Sequence, residues 1–226
     1  MTIKGDIVRK KSKALLLALC AVLLVTASVL GTLAYLTSQD TVVNTFTVGK
    51  VNIVLDETAV TPDGKPIGGA DRVKENSYHL VPGMTYVKDP TVTVVKGSEE
   101  SYVRMLVTIN CYDALTDIFG EPFLPQYFVS GWDNTTWIST EVIDVDTNAD
   151  TATYEFRYKE TVETTANEDV ALDALFESIT VPGSMSADDM NSIKDLKITV
   201  VGHAIQAAGF ADEDAAWTAF ASEING

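Results

Sequence analysis

The chain has 226 residues, with 32 acidic and 16 basic side chains and a formal net charge of −16. A field of this sign repels nucleic acid and anionic lipid, so the composition argues against a nucleic-acid-binding protein and favours cationic partners or divalent ions. The acidic residues are dispersed among apolar ones rather than gathered in blocks. This distribution is typical of the solvated surface of an ordinary globular domain.

The chain begins with the pattern of an export signal. Residues 14–36 are a run of 23 uncharged residues, preceded by basic side chains at Arg9, Lys10, Lys11 and Lys13. Small residues at Thr32 and Ala34 predict that a signal peptidase cuts between Ala34 and Tyr35, so that residues 1–34 are a signal peptide. The protein then contacts the membrane only through residues 14–36, before cleavage. The alternative is an uncleaved anchor, because roughly 20 apolar residues span a bilayer.

Cleavage at this position leaves residues 35–226 as a single exported domain. The removed segment carries five basic residues and one acidic residue, so the net charge falls from −16 to −20. The remaining 192 residues contain enough apolar side chains for one sizeable core, and a second domain is not required. Cys111 is the only cysteine left and cannot form an intramolecular disulfide, so stability must come from packing.

Residues 35–226 follow mainly a period of two, in short runs rich in Val, Ile, Thr and Tyr that turn residues separate. Strands are predicted at residues 46–55, 91–95, 102–112, 136–145, 152–159, 171–181 and 196–206. This pattern predicts an all-β fold, a jelly-roll-like antiparallel β-sandwich with a few short helices. Alternation in the third strand predicts an inward face formed by Val103, Met105, Val107, Ile109 and Cys111.

Two short helices are predicted in the C-terminal third of the chain. The first begins with a capping-box pattern at Ser186 and runs to Ile193. The second is rich in alanine, begins at Asp212 and carries on one side Trp217, Phe220 and Ile224. The polar, glycine-containing residues 61–76 are the expected flexible loop.

One segment has the spacing of a calcium-binding loop. Oxygen-bearing side chains fill loop positions 1, 3, 5, 7 and 12, at Asp144, Asp146, Asn148, Asp150 and Glu155. Ala149 replaces the glycine that makes the sharp turn, and Ala152 offers no side-chain oxygen at position 9. A β-hairpin with residues 147–150 at its tip explains the same residues, because Asn and Asp favour turns. Calcium binding therefore stays an alternative to a plain hairpin, and no other cofactor is expected.

The sequence lacks the motifs of a hydrolase. Its only histidines, His79 and His203, lie 124 positions apart, and neither belongs to an H-E-x-x-H pair. No Gly-x-Ser-x-Gly turn marks a nucleophilic serine. These observations predict that the protein is not an enzyme and that no catalytic residues are present.

Several motifs follow one another along nearly the whole chain. Around the predicted cleavage site these are GTLAYLTS at residues 31–38, NTFTVG at 44–49 and VNIVLD at 51–56. Further along they are LVPG at residues 80–83, LFE at 175–177, GF at 209–210 and AAW at 215–217. In this order the motifs resemble the TasA/camelysin family, exported Gram-positive proteins that a dedicated signal peptidase (SipW-type) releases.

The resemblance implies a jelly-roll sandwich and, for the fibre-forming members, assembly by donor-strand exchange. In that mode the N-terminal segment of one subunit completes a sheet of the next. The corresponding segment here is residues 35–44, whose candidate donor side chains are Tyr35, Leu36, Val42 and Val43. The alternative is that this segment is a disordered stub or pairs within its own subunit.

These inferences together predict an exported structural protein of the cell surface or extracellular biofilm matrix that self-assembles into fibres. Its expected partners are the dedicated signal peptidase, other copies of itself, and other matrix or cell-wall components, but not nucleic acid. Two alternatives remain. One is a monomeric, surface-anchored binding domain or adhesin, and the other is a camelysin-like metallopeptidase, which the resemblance suggests although no catalytic motif is present.

Overall fold

The computed structural model describes Lys13, residues 16–24 and residues 49–224. The predicted cleavage pair, Ala34 and Tyr35, lies outside the described residues. The same is true of the predicted donor segment, residues 35–44, with its side chains Leu36, Val42 and Val43. Signal cleavage and strand donation therefore stay predictions.

The chain divides into two compact units, Met1–Thr47 and Val48–Gly226. In the first unit, residues 16–24 are helical and exposed, and we name this helix α1. No helix in the described part of the chain combines the length and the apolar character that crossing a membrane requires. The second unit contains all the β-strands that the structure describes.

The second unit is built mainly from antiparallel strands. Their bounds are β1 Ile53–Asp56, β2 Thr85–Val87, β3 Thr91–Val94, β4 Ser101–Asn110, β5 Val129–Ser130, β6 Trp137–Asp146, β7 Thr151–Tyr158, β8 Val170–Ala171, β9 Ser178–Thr180 and β10 Ile198–Gln206. They form a four-stranded sheet, β10-β4-β7-β6, and two three-stranded sheets, β1-β3-β8 and β2-β9-β5. The predicted all-β antiparallel sandwich with a few short helices is confirmed, whereas the jelly-roll connectivity stays a prediction.

Three short helices accompany the sheets: α2 Tyr112–Phe119, α3 Ala187–Ser192 and α4 Glu213–Ile224. Before α3, Ser186 Oγ accepts a hydrogen bond from Asp189 N at 3.1 Å, and Asp189 Oδ2 accepts one from Ser186 N at 2.8 Å. This reciprocal pair is the predicted capping box. At the start of α4, Asp212 Oδ1 accepts a hydrogen bond from Ala215 N at 2.9 Å, which confirms the second predicted helix start.

β4 lies in the middle of the large sheet, between β10 and β7. Its side chains alternate between buried and half-buried along all ten residues. The inward residues are at most 4 % exposed, as the period of two predicts for Val103, Met105, Val107 and Ile109. On the opposite face Thr108 Oγ1 lies 2.8 Å from Thr153 Oγ1 of β7. One face of β4 is therefore the centre of the hydrophobic core.

The prediction that Cys111 belongs to this inward face is wrong. β4 ends at Asn110, and Cys111 takes a left-handed conformation, with φ 56° and ψ 38°, directly before α2. The helix that follows buries Tyr112 and Leu115, which are three residues apart, so the period of two stops at the strand end. The Cys111 side chain is half-buried against the core, and burial raises the pKa of its thiol.

The prediction of one strand over residues 171–181 is also wrong, because β8 and β9 belong to different sheets. The chain crosses between these sheets at residues 172–177. In this stretch Leu172, Leu175 and Phe176 are all buried, so the run of apolar residues fills the space between sheets rather than one face of a strand. Two backbone hydrogen bonds hold this crossing segment against β3: Leu172 N donates to Val92 O, and Leu175 N donates to Pro90 O.

The expected loop over residues 61–76 forms no strand but is tied to the sandwich by Arg72. The Arg72 guanidinium lies 2.5 Å from Asp56 Oδ1 and 3.0 Å from Asp89 Oδ2. Burial by itself raises the pKa of Asp89, but hydrogen bonds from Thr58 and Arg72 outweigh it and hold that pKa below its usual value. The loop therefore has a fixed attachment to β1 and β3 at its C-terminal part.

Candidate functional site

A groove lies beside the edges of two sheets. β10 is an edge strand of the large sheet, and β1 is an edge strand of the β1-β3-β8 sheet. Side chains of β1 pack against β10 at Gly202, where an added Cβ would lie 3.4 Å from Ile53 Cδ1 and 3.7 Å from Leu55 Cβ. The groove opens at the N-terminal end of β10 with a volume of about 860 Å³. We call it the edge groove, and residues 55–57, 74–80 and 190–200 form most of its walls.

In the part of the chain that the structure describes, β10 pairs with β4 alone, which leaves its other edge unpaired. Asn110 N donates to Lys197 O, and Ala207 N donates to Glu100 O. In an antiparallel pair every second residue directs its backbone groups to the partner strand. Since positions 197 and 207 bond towards β4, Ile198 and Val200 direct theirs away from it. Both residues line the edge groove, so an unused strand edge faces this space.

The floor of the edge groove is apolar. Ile179 and Ile193 are 3 % and 1 % exposed, and both line the groove. Half-buried side chains add to this surface, namely Leu55, Leu80, Met190, Leu196, Ile198 and Val200. The groove therefore joins an apolar surface to an unpaired backbone edge, which are the two components that binding of an extended peptide requires.

A buried ion pair lies in the wall of the edge groove. Lys88 Nζ is 2.8 Å from Glu57 Oε2, and both side chains are less than 10 % exposed. Backbone bonds between Glu57 and Val73 hold the carboxylate side of the pair in place. The Tyr78 hydroxyl donates to Val87 O at 3.0 Å, and burial, followed by the charge of Glu57, raises the pKa of this phenol. Because removing two charges from water is costly, such a pair fixes geometry more than it adds stability.

Basic side chains are concentrated around the edge groove. Four lysines line it, Lys74, Lys88, Lys194 and Lys197, together with the three carboxylates of Asp56, Glu57 and Glu75. Its lining therefore has a net charge of +1, whereas residues 35–226 as a whole have −20 with only 11 basic residues. The groove is thus a locally positive site on a strongly acidic protein.

The residues with calcium-type spacing lie along a β-hairpin. β6 and β7 pair with Asp146 opposite Thr151 and with Asp144 opposite Thr153, and residues 147–150 form the turn. The hairpin interpretation is confirmed. Asp146 Oδ1 accepts hydrogen bonds at 2.9 and 3.1 Å from the backbone amides of Asn148 and Ala149. The aspartate therefore acts as a turn residue in this structure.

The other two acidic residues of this spacing contact different partners. Asp150 Oδ1 accepts a hydrogen bond from Asp113 N at 2.8 Å, at the start of α2. Glu155 Oε1 lies 2.7 Å from Arg157 Nε and 3.4 Å from Arg104 Nη1. Among the described residues, no group of three or more His, Cys, Asp or Glu side chains is placed to hold a metal ion. The structure therefore does not bring the predicted ligands together.

The two histidines belong to different parts of the fold. His79 is exposed and lines the edge groove, and its backbone amide donates to Pro62 O at 2.8 Å. His203 lies on β10 under α4, with its ring centroid 4.7 Å from that of Phe220. Its Nδ1 accepts a hydrogen bond from Arg104 Nε at 3.3 Å. The histidines therefore do not form one site.

A charged and aromatic cluster attaches α4 to the large sheet. The Arg104 guanidinium lies 4.3 Å from the Trp217 ring centroid, and Trp217 is 3 % exposed. Glu155 lies between two arginines, since it accepts from both Arg104 and Arg157. Arg157 Nη1 also lies 2.5 Å from Asp214 Oδ1 at the start of α4. These mutual contacts satisfy the charged groups, so the cluster is a structural attachment of the helix.

Acidification should weaken this attachment through His203. Burial, and then the charge of Arg104, lowers the pKa of His203 from its ordinary value of 6.5. The unfolded chain therefore takes up the proton first, and stability is lost as the pH falls below about 6.5. We expect the melting temperature to fall between pH 7.5 and 5.5, and to fall less in His203→Gln. An equal decrease in both proteins would show that other groups cause it.

Sequence reasoning missed the edge groove, because its walls come from three segments that are distant along the chain and carry no shared motif. The local signal that could have indicated a charged strand edge is the pair of lysines at positions 194 and 197, around the start of the strand predicted at residues 196–206. The chain matches no family model, and comparison with curated proteins and with solved structures gives no match.

Proposed function

We propose that this chain is an exported structural protein of the cell surface or extracellular matrix that assembles into fibres by exchanging N-terminal strands. In this proposal a dedicated signal peptidase cuts between Ala34 and Tyr35. Residues 35–44 of one copy then add as a strand to the edge groove of the next copy. Apolar side chains for the groove floor come from Leu36 and Val42 on one face of the strand, and Val43 lies on its opposite face.

The observation that carries the proposal is the free edge of β10 beside an apolar floor. Unpaired strand edges are templates for other chains, and most proteins cover or shorten them. Here, within the described residues, Ile198 and Val200 direct their backbone groups away from β4, and both residues line a groove of about 860 Å³. An added strand gains main-chain hydrogen bonds from such an edge and side-chain contacts from the floor. Both gains are available to a second copy of this chain.

Signal cleavage gives this assembly its switch. Before cleavage, residues 35–44 continue directly from the apolar run at residues 14–36, which the proposal places in the membrane. A segment tethered in this way cannot thread into a neighbouring molecule. Cutting after Ala34 releases it, so that polymerisation begins only outside the membrane.

The edge groove also supports a second candidate function. A strand edge beside an apolar floor binds an extended segment of another protein by the same physical rules as a segment of its own kind. If the signal is retained as an anchor, the chain is a monomeric surface-bound binding domain. Retention of residues 1–34 in the membrane fraction, together with absence of fibres, is the result that would favour this candidate.

Electron microscopy of the secreted protein tests the proposal. The full chain should yield fibres after export, whereas a chain from which residues 35–44 are deleted should yield folded monomers, because Val48–Gly226 is a compact unit by itself. A synthetic peptide of residues 35–44 should raise the melting temperature of this shortened protein, since a ligand that binds only the folded state stabilises it.

A peptide of the same composition in scrambled order is the matched control, and it should leave the melting temperature unchanged. Fibres formed equally well by the shortened protein would contradict strand exchange and indicate lateral association of sheet edges instead.

A further inference from the structure

We propose that Asp40 of an incoming strand pairs with Lys194 and Lys197 at the edge groove and thereby fixes the register of strand exchange. This inference rests on the proposed function, because it names the contact by which one copy recognises the next. Its basis is the distribution of charge around the groove and along residues 35–44.

The two lysines are positioned by the fold at the start of β10. Lys197 directly precedes β10, and its backbone forms two hydrogen bonds with Asn110. Its amide donates to Asn110 Oδ1, and its carbonyl oxygen accepts from Asn110 N. Lys194 follows α3, and its amide donates to Asn191 O. Both lysines line the edge groove. Both lysines therefore border the groove that an added strand would occupy.

These lysines have no acidic partner within the described part of the chain. Both are exposed, and neither is within 4 Å of a described carboxylate. The other lysines of the groove are already engaged, since Lys88 pairs with Glu57 and Lys74 Nζ donates to Leu55 O. Lys194 and Lys197 are thus the cations left for a ligand.

The proposed donor segment carries a single charged side chain, in addition to the α-ammonium group that cleavage leaves at Tyr35. Residues 35–44 read YLTSQDTVVN, in which Asp40 is the only side chain that is charged at neutral pH. In an extended strand Leu36, Asp40 and Val42 lie on the same face, because side chains alternate. A shift by one residue moves all three to the opposite face, and a shift by two moves the carboxylate by roughly 7 Å along the edge. Pairing of Asp40 with the two lysines therefore selects one register.

Repulsion between copies makes this contact more important. Two molecules with a charge of −20 each repel one another at a distance. The positive lining of the groove offsets that repulsion at the one place where the donor must enter. Complementary charge of this kind contributes specificity and association rate more than affinity.

Charge exchange between two variants tests the inference. The variants Asp40→Lys and Lys194→Glu/Lys197→Glu are made in the full chain and isolated in secreted form. Each alone should elongate fibres about tenfold more slowly than the wild type, because like charges then meet at the groove. In an equimolar mixture every donor meets an acceptor of opposite charge, so elongation should return towards the wild-type rate as an alternating fibre.

Lys96→Glu is the matched control, because Lys96 is an exposed lysine outside the groove, and it should elongate normally. Equal melting temperatures of the secreted monomers verify that each variant folds. The inference is overturned if either charge-reversed variant elongates like the wild type, or if the mixture is as slow as its components. Strand exchange itself survives both results, whereas a wild-type protein that forms no fibres overturns the proposed function.

Discussion

Replacing Lys88 with methionine should lower the free energy of unfolding by about 3–5 kcal/mol. The substitution keeps the length of the side chain but leaves the buried Glu57 carboxylate without the ammonium that lies 2.8 Å away. A buried carboxylate without an ion-pair partner is desolvated with no compensating interaction, and this cost lowers the free energy of unfolding. Urea denaturation of the purified protein measures the change.

Two further variants separate the buried pair from a general effect of charge. Lys194→Met removes an exposed lysine of the same groove and should change stability by less than about 0.5 kcal/mol. The double variant Lys88→Met/Glu57→Leu should recover most of the loss, because it removes both charges together. If Lys88→Met costs no more than Lys194→Met, the pair is hydrated in solution and does not fix the groove wall.

Replacing Ile109 with alanine should lower the free energy of unfolding by about 2–5 kcal/mol. Ile109 is 4 % exposed and lies on the inward face of β4, where both neighbouring strands hold the backbone in place. The strand cannot close the cavity that the missing carbon atoms leave, so contact energy is lost in addition to burial. The midpoint of urea unfolding should decrease with little change in slope.

Thr108→Ala is the control on the opposite face of the same strand. It removes the hydrogen bond between Thr108 Oγ1 and Thr153 Oγ1 and should cost about 1 kcal/mol. A loss as large as that for Ile109→Ala would show that the faces of β4 are assigned in the wrong sense.

The longer strands could be predicted from the sequence because each repeats its alternation several times. β4, β6, β7 and β10 contain eight to ten residues, and their predicted ends differ from the observed ones by at most two positions. β2 and β5 have three and two residues, which is too short for any period to be visible. In such strands, pairing with β9 determines the structure, and a partner distant in sequence leaves no local pattern.

The candidate site was less accessible to prediction than the fold. The donor segment is a prediction from motifs around Ala34, whereas its proposed acceptor depends on how residues 74–80 and 190–200 pack beside β1 and β10. The sequence spacing at Asp144 and Asp146 fitted both a metal-binding loop and a β-hairpin. The pairing of β6 with β7 on either side of the turn shows that the hairpin forms. Tertiary packing, which a single sequence does not display, decided both cases.

β10 is the last strand among the described residues, and this position bears on the direction in which the proposed fibre would grow. β10 pairs with β4, so Ile198 must find Ile109 across a long stretch of chain, and such non-local contacts form late. In the proposed export, residues 35–44 leave the ribosome and the membrane well before β10 does. Under the proposed assembly each new copy can therefore give its strand before it can receive one. In the proposed fibre this order makes growth unidirectional, with every newcomer joining by its N-terminus and offering a new acceptor only when its own export is complete.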